Sequence, residues 1–503
     1  MQNGSLTEPQ LKKDEQTMLL SELLENIPHD ILQGDDTDIS TIQIDSRKVQ
    51  YGALFICLIG LSFDGHEYAL QAVESGATAV LVEKGATYLA PSTATVVQVE
   101  NTRLAMSLVA ANFFANPAKK LRLIGVTGTN GKTTTTVFLD EILRNCGQKT
   151  GLIGTVGAKL NGKPLDFSFA TSTTPDPLEL HEVFSIFVSH GVTDVVMEVT
   201  SHALHFHKMA GLWFDVGVFT NLSQDHLDIH GTMENYMLAK AKLFSQSKKA
   251  VINIDDEAHA AMVQHLEGRP YVSYAINNDA DLLAEEISFG KVTQFTIKGI
   301  DGTFSLAPKG KFNVYNALAA IGTARTLGIP MDKIKNAVAK LGGVDGRIQE
   351  VKNSKGLSVF VDYAHTPDGL INIISAVREF TVGRVITVVG CGGDRDNLKR
   401  PIMGRIAGEM SDFTILTSDN PRTENPFYIL AQIEVGIKET GKEYVSIVNR
   451  KDAIFAGVRM LKDGDSLIIA GKGHEDYQII GTETIHFSDY EVALEAIENA
   501  AND

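Results

Sequence analysis

Val126-Thr127-Gly128-Thr129-Asn130-Gly131-Lys132-Thr133-Thr134 decides the fold. It follows Leu121-Arg122-Leu123-Ile124-Gly125, an apolar run that reads as a strand, and precedes residues 135–146, which read as a helix. Strand, glycine-rich turn and helix make a phosphate cradle. The glycines let backbone N–H groups approach phosphate oxygens, and the helix N-terminus adds partial positive charge. In such a cradle Lys132 reaches the β- and γ-phosphates and the Thr133 hydroxyl binds Mg²⁺. Val126 stands where the usual G-x-x-x-x-G-K-[ST] spelling begins with glycine. The candidate ATP contacts are Gly128, Thr129, Asn130, Gly131, Lys132, Thr133 and Thr134.

A chain of 503 residues has room for about three domains. Its 44% apolar and 21% charged content is that of a soluble globular protein. A net charge of −17 argues against nucleic acid or an anionic membrane as partner. Anionic substrates must therefore be met locally, by arginine, lysine, metal or helix termini. Cys57, Cys146 and Cys391 are widely spaced and form no C-x-x-C, which suits a reducing compartment and provides no zinc site. Residues 1–18 are polar, lack a secretory core and read as a flexible extension. The apolar run 53–59 is too short to span a bilayer. These features predict a cytoplasmic protein without membrane insertion.

Working outward, three α/β blocks emerge. Residues 19–103 alternate short strand and helix candidates around Leu54-Phe55-Ile56-Cys57-Leu58-Ile59, with Asp45-Ser46-Arg47 before this strand. Residues 104–344 form a larger block in which strands end in polar clusters: Glu198-Val199-Thr200-Ser201-His202, Thr220-Asn221-Leu222-Ser223-Gln224-Asp225-His226 and Ile254-Asp255-Asp256. In open parallel sheets ligands bind beyond the carboxyl ends of strands, so these clusters should converge on the cradle. Residues 345–503 repeat the alternation, with loops Asp362-Tyr363-Ala364-His365, Gly392-Gly393-Asp394-Arg395-Asp396, Ser418-Asp419-Asn420-Pro421-Arg422 and Gly471-Lys472-Gly473-His474-Glu475. A hinge between the last two blocks is expected in Gly342-Gly343-Val344-Asp345-Gly346-Arg347.

In this order, and with Thr173-Thr174-Pro175-Asp176, Asp225-His226-Leu227-Asp228 and Asn313-Val314-Tyr315-Asn316-Ala317, the clusters resemble those of the Mur ligase family over residues 19–495. The resemblance implies a small N-terminal α/β domain for a UDP-sugar, a central P-loop ATPase-like parallel-sheet domain and a C-terminal Rossmann-like domain for an amino acid. It implies a monomeric, cytoplasmic ligase of peptidoglycan precursor synthesis. The implied reaction adds meso-diaminopimelate to UDP-N-acetylmuramoyl-L-alanyl-D-glutamate through an acyl phosphate. Both reactants of the first step are anions, and two like charges about 4 Å apart repel by ~4 kcal/mol at an effective dielectric of ~20. Lys132 and metal ions would offset that repulsion.

The resemblance gives Thr133, Glu198, His226 and Lys240 as metal donors, and the last three of these with Lys132 and Arg347 as the catalytic set. Glu198 closes an apolar strand, where an unpaired carboxylate would be costly. By position alone Lys240 is a solvated lysine on the helix-like segment 233–244. Only the resemblance makes it a lysine that CO₂ converts to an anionic carbamate. Asn313 and Asn316, one helix face at i, i+3, are expected at ATP's base and ribose. The resemblance implies Asp362 as a ribose or hinge contact, and Arg347 is expected to reach the γ-phosphate on domain closure.

For the nucleotide-sugar the resemblance gives Ile44, Ser46, Thr173, Thr174, Thr200 and Lys208. Phe206 and Lys208 stand where some relatives have Gln and Arg, and Leu61-Ser62-Phe63 lacks polar residues that some members place beside uridine. For the amino acid it gives Arg395, Asp419, Asn420, Pro421, Arg422, Gly471 and Glu475. Diaminopimelate carries one carboxylate more than L-lysine, and the planar guanidinium of Arg422 can hold it with two parallel hydrogen bonds. Lysine as the added amino acid is the nearest alternative. Folylpolyglutamate and cyanophycin synthetases share the cradle, but Asp-Asn-Pro-Arg and Gly-Lys-Gly-His-Glu argue against them.

Overall fold

The structure, a computed structural model, describes residues 17–60, 63–89, 93–171, 173–290 and 292–499. Residues 1–16 of the expected extension, and Leu61 and Ser62 of the uridine-side segment, lie outside the described residues. Three sheets organise the chain. The first has five strands in the order Asp30–Gln33, Thr95–Val99, Ala77–Glu83, Ala53–Ile56, Thr41–Gln43, parallel except at Asp30–Gln33. The helix Thr102–Phe113 packs Ala105, Met106 and Val109 into the core of this sheet, so the first core draws on residues beyond 103.

The central sheet has eleven strands, and the strand leading into the cradle, Arg122–Thr127, lies inside it. Its parallel neighbours are Asp194–Glu198 and Phe214–Phe219, with Glu198 opposite Val126 and Phe219 opposite Thr127. Three strand ends therefore deliver the glycine-rich turn, Glu198 and Thr220-Asn221 to one place. Buried β-branched and aromatic residues cover both faces of this sheet, as expected of parallel strands sandwiched between helices. Antiparallel strands Thr293–Ile297 and Ile300–Leu306 finish the far edge.

The third sheet runs Gln349–Glu350, Ser358–Asp362, Ser466–Ala470, Val385–Val389, Phe413–Leu416, Tyr444–Ser446, parallel after its first strand and covered on both faces. All four charged loops of the last block leave the carboxyl ends of its strands. The helix after the cradle starts at Lys132, three residues before the expected 135, because Gly131 in left-handed geometry (φ +83°) serves as its N-cap. Among the described residues, no helix is long and apolar enough to cross a membrane.

Candidate active site

The cradle is fixed from below by the neighbouring strand end. Thr129 Oγ1 donates to the Ser223 carbonyl at 3.1 Å, and the Asn130 N–H donates to Asn221 Oδ1 at 2.9 Å. Gly128 has φ +153°, and a Cβ there would stand 1.9 Å from Thr220 Oγ1; one on Gly131 would stand 2.4 Å from Asn316 Oδ1. Both glycines are dictated by close approach as well as by backbone angle. Thr134 lies buried in the first helical turn, and Thr135 Oγ1 donates to Asn316 Oδ1 at 3.3 Å. Asn316 Nδ2 approaches Asn313 Oδ1 at 3.4 Å, so the two asparagines do share a face of the helix Lys311–Thr326 beside the turn. Lys132 folds over the loop and donates to the carbonyls of Gly128 at 2.8 Å and Thr129 at 2.9 Å. Burial holds its ammonium below the ordinary lysine range.

Glu198 is 1% exposed at its strand end. Its Oε1 accepts from the Thr155 N–H at 2.8 Å, and its Oε2 from the hydroxyls of Thr133 at 3.1 Å and Thr155 at 3.3 Å. From across the hinge Arg347 Nη2 reaches within 3.5 Å of Thr133 Oγ1, and its guanidinium lies 5.2 Å from the Tyr363 ring centre. The arginine expected to arrive on closure thus already touches the cradle threonine. Asp362 accepts from the N–H groups of Ile348 and Ala364, both at 2.8 Å, which pins the backbone beside the hinge. Burial raises its carboxyl, against the pull of Arg347.

Lys240 corrects the reading from position alone: it is 1% exposed, whereas Lys242 on the same helix, Met233–Ser245, faces out. Its Nζ donates to the Gly128 carbonyl at 2.8 Å and sits 4.4 Å from the Tyr236 ring centre. Burial, then the charge of Lys132, push its ammonium well below the ordinary range. His226 has left-handed geometry (φ 53°), with Nε2 3.3 Å from Asp225 Oδ2 and its ring edge-on to His202. Its ring centre is 6.2 Å from that of Tyr236. Of the four expected metal donors, Thr133 and Glu198 touch directly, while His226 and Lys240 meet around Tyr236.

A cleft of about 940 Å³ opens between the central and C-terminal units, with Asp225 and His226 on one wall and Arg395, Asn420, Arg422 and Glu475 on the other. Arg422 has φ +50° and is held on both sides: its N–H donates to the Ile479 carbonyl at 3.1 Å, and its own carbonyl accepts from Gly481 at 2.7 Å. Its Nη1 donates to the Gly393 carbonyl at 2.8 Å, which joins the loop carrying Pro421 to the loop carrying Arg395. Arg395 is exposed, with Nη1 3.2 Å from the Asp394 carbonyl. A Cβ on Gly471 (φ +126°) would stand 2.9 Å from Asp419 Oδ2.

Three buried cations behind these loops escaped the sequence reading. Arg400 grips Glu424 at 2.8 Å and 2.9 Å and the Gly392 carbonyl at 3.0 Å. Arg450 pairs twice with Asp489 at 2.7 Å and also reaches the carbonyls of Ser418 and Ala470, the residues just before Asp419 and Gly471. Lys472, wholly buried, donates to Asn420 Oδ1. The available signal was a long cation beside a strand end for Lys472 and in the first turn of a helix for Arg400 and Arg450, each of which reads equally well as a solvated charge.

The nucleotide-sugar set divides in two. Thr174 Oγ1 donates to the Glu198 carbonyl at 3.0 Å and lies 3.2 Å from Thr200 Oγ1, and Thr173 Oγ1 lies 3.2 Å from Thr155 Oγ1, so these threonines adjoin the cradle. Lys208 is engaged with Asp176 at 2.8 Å, and Phe206 lies under the Arg103 guanidinium at 4.7 Å. Ser46, buried, approaches Gln71 at 3.5 Å within the first unit, where Ile44 is 39% exposed.

A phosphate cradle at the switch point of a parallel sheet, facing a charged cleft across a hinge, defines a multi-unit α/β enzyme acting with a nucleotide. Family models described as "Mur ligase family, catalytic domain", "Mur ligase middle domain" and "Mur ligase, glutamate ligase domain" match residues 38–114, 126–324 and 346–473. The chain belongs to the Mur ligase family. It is 43% identical to UDP-N-acetylmuramoyl-L-alanyl-D-glutamate--2,6-diaminopimelate ligase 1 of Clostridium acetobutylicum, over 96% of this chain and 99% of that one. The enzyme of that name from Caldanaerobacter subterraneus subsp. tengcongensis is 45% identical over 95% of this chain and 99% of its own. A solved structure of a ligase with this name superposes with a TM-score of 0.67 at 30% identity, covering 96% of this chain and 99% of that chain.

Proposed function

We propose that this chain joins meso-diaminopimelate to UDP-N-acetylmuramoyl-L-alanyl-D-glutamate at the expense of ATP. The observation that carries the reading is Arg422, pinned by its backbone in a cleft whose opposite wall, Asp225 and His226, adjoins the phosphate cradle. Near-full-length identity to diaminopimelate ligases supports it. The first unit, residues 19–103 with the helix that follows, holds the UDP moiety through Ile44 and Ser46. The central unit, to residue 344, binds ATP. The last, 345–503, brings in the amino acid. The reading takes the enzyme as a monomer, and its nucleotide-linked substrates are in keeping with the cytoplasm.

A free carboxylate of the D-glutamyl residue attacks the γ-phosphorus of ATP, and ADP leaves. The amine of the amino acid then attacks the acyl carbon, phosphate leaves, and the nitrogen loses its proton. Lys132 and Arg347 meet the phosphate charge from opposite sides of the hinge. Asn313 and Asn316 hold the nucleoside, with Asp362 fixing the hinge. Thr173, Thr174, Thr200 and Lys208 orient the peptide end of the nucleotide-sugar. Arg395 takes one carboxylate of the amino acid and Arg422 the distal one. Glu475 and the Gly471 carbonyl accept from the distal ammonium, with Asp419, Asn420 and Pro421 shaping the loop.

Among the described residues no group of three or more His, Cys, Asp or Glu side chains is placed to hold a metal ion by itself, so an ion here would also draw on hydroxyl, water and substrate oxygens. That suits Mg²⁺, which is commonly bound through one or two carboxylates, water and substrate phosphates. Its donors would be Glu198, Thr133, His226 and carboxylated Lys240, and it would screen the repulsion between carboxylate and ATP. Lys240 fits carboxylation because burial and the charge of Lys132 disfavour its ammonium, and it is the neutral amine that adds to CO₂. The test is phosphate release with Mg²⁺-ATP and the nucleotide-peptide, offering meso-diaminopimelate and L-lysine separately. Turnover with diaminopimelate alone is expected; turnover with lysine instead would discard the Arg422 assignment.

A further inference from the structure

Lys472 sits between two glycines at the end of the strand Ser466–Ala470, yet it is wholly buried beneath the amino-acid cleft. Its Nζ donates to Asn420 Oδ1 at 2.8 Å and to the Tyr477 carbonyl at 2.7 Å, and lies 3.4 Å from Glu475 Oε2 and 3.5 Å from Asp419 Oδ1. Two consequences follow from these distances.

The first concerns the Asn420 amide. Its Oδ1 accepts from both Lys472 Nζ and the Ile479 N–H, the latter at 3.0 Å, so the amide has only one orientation that satisfies both donors. Nδ2 is then turned to the cleft side, where it donates to Glu475 Oε2 at 3.1 Å. A donor is thereby presented in the same cleft as the Arg422 guanidinium. The second concerns charge. Asp419 and Glu475 are two carboxylates on the cleft wall, each within 3.5 Å of Lys472 Nζ, in a lining that also holds Asp225, Asp368 and Asp396 with Arg395, Lys399 and Arg422. Lys472 is the cation that meets this pair directly, because Arg450 nearby is already paired with Asp489. With Lys472 offsetting one carboxylate, this part of the cleft keeps the other for an ammonium and the Arg422 guanidinium for a carboxylate. Without Lys472 it would be more negative by one charge and would favour an ammonium over a carboxylate.

We propose that Lys472 is a specificity-determining positioning residue: it orients the Asn420 amide and offsets one carboxylate, so that the pocket prefers the zwitterionic end of meso-diaminopimelate to the cationic end of L-lysine. This rests on the function proposed above.

The test is the ratio of kcat/KM for meso-diaminopimelate to that for L-lysine, at saturating Mg²⁺-ATP and nucleotide-peptide. Lys472→Met should lower that ratio about tenfold or more, with KM for ATP unchanged. Lys472→Arg should lower it less. Asn420→Asp is nearly isosteric and keeps an oxygen acceptor on the buried ammonium while setting a second oxygen against Glu475 Oε2, and its folding is checked by circular dichroism beside that of the Lys472 variants. It replaces the outward donor with an acceptor and should lower the ratio by a similar factor. A general packing defect would depress both substrates together and leave the ratio where it was. An unchanged ratio in Asn420→Asp and in any folded Lys472 variant, with a wild-type enzyme that prefers diaminopimelate, overturns the role of Lys472 alone. A wild-type enzyme that prefers lysine overturns this role and the proposed function together.

Discussion

Lys132 and Lys240 donate to the same oxygen, the carbonyl of Gly128, each at 2.8 Å. Two ammonium groups on one buried carbonyl repel, and both are held below the ordinary lysine range. Carboxylation of Lys240 would turn that repulsion into attraction, because the product is an anion beside the Lys132 cation. Lys240→Ala is therefore expected to lose about a hundredfold or more in kcat. Excess formate or acetate should restore part of the loss by standing in for the carbamate. A fully active Lys240→Ala enzyme, measured by phosphate release, would end this idea.

The cradle and the expected nucleoside contacts meet at Gly131 and Asn316. A methyl group at Gly131 would stand 2.4 Å from Asn316 Oδ1 and would require an L-residue to hold φ +83°. Backbone strain of about 1–2 kcal/mol adds to the displaced amide. Gly131→Ala should raise KM for ATP about tenfold or more, with KM for the amino acid little changed. Equal shifts in both would mean that the disturbance spreads beyond the nucleotide.

Arg422 can be truncated with its backbone bonds intact, the Gly393 contact going with the guanidinium. Its backbone bonds to Ile479 and Gly481 do not involve the side chain, and alanine carries the same cost at φ +50° as arginine. Arg422→Ala therefore removes the guanidinium together with its bond to the Gly393 carbonyl. Loss of charge-assisted hydrogen bonds worth about 1.5–3 kcal/mol should raise KM for diaminopimelate about ten- to a hundredfold and leave KM for ATP in place. Arg422→Lys should recover little, because an ammonium cannot form the two parallel bonds. Steady-state kinetics with each substrate varied in turn decide it; parallel rises in both KM values would remove Arg422 from the specificity argument.

What the sequence made legible follows from how local each signal is. The strands Val385–Val389 and Phe413–Leu416 lie where their apolar runs place them, because parallel strands covered on both faces need continuous apolar runs. The phosphate cradle is contiguous, so its turn could be read directly. The start of its helix could not, since Lys132, Thr133 and Thr134 read as part of the phosphate-binding turn until Gly131 is seen to cap the helix. Lys240 was opaque for another reason. Its helix presents Lys240 to the cradle and Lys242 to solvent, and that choice is made by tertiary packing. Arg400 and Arg450 were hidden by distance along the chain, their acidic partners lying 24 and 39 residues away. Buried cations that hold loops carry no local pattern.

His181 offers a test of stability rather than chemistry. It lies on the helix Pro177–Ser189, 2% exposed, edge-on to Phe184, with Nδ1 buried and lacking a hydrogen-bond partner among the described residues. Burial pushes its imidazole down from 6.5 to about 4. The folded value is the lower one, so as pH falls the unfolded chain takes up this proton first. The contribution of neutral His181 is therefore whole above about pH 6.5 and is lost as pH falls towards about 4, by roughly 3 kcal/mol. His181→Leu keeps an apolar side chain of similar reach and removes the titration. Thermal or urea unfolding at pH 7.5 and pH 5 should show a smaller acid loss in the variant than in the wild type. Identical acid losses would mean that other groups, not His181, set the acid limb.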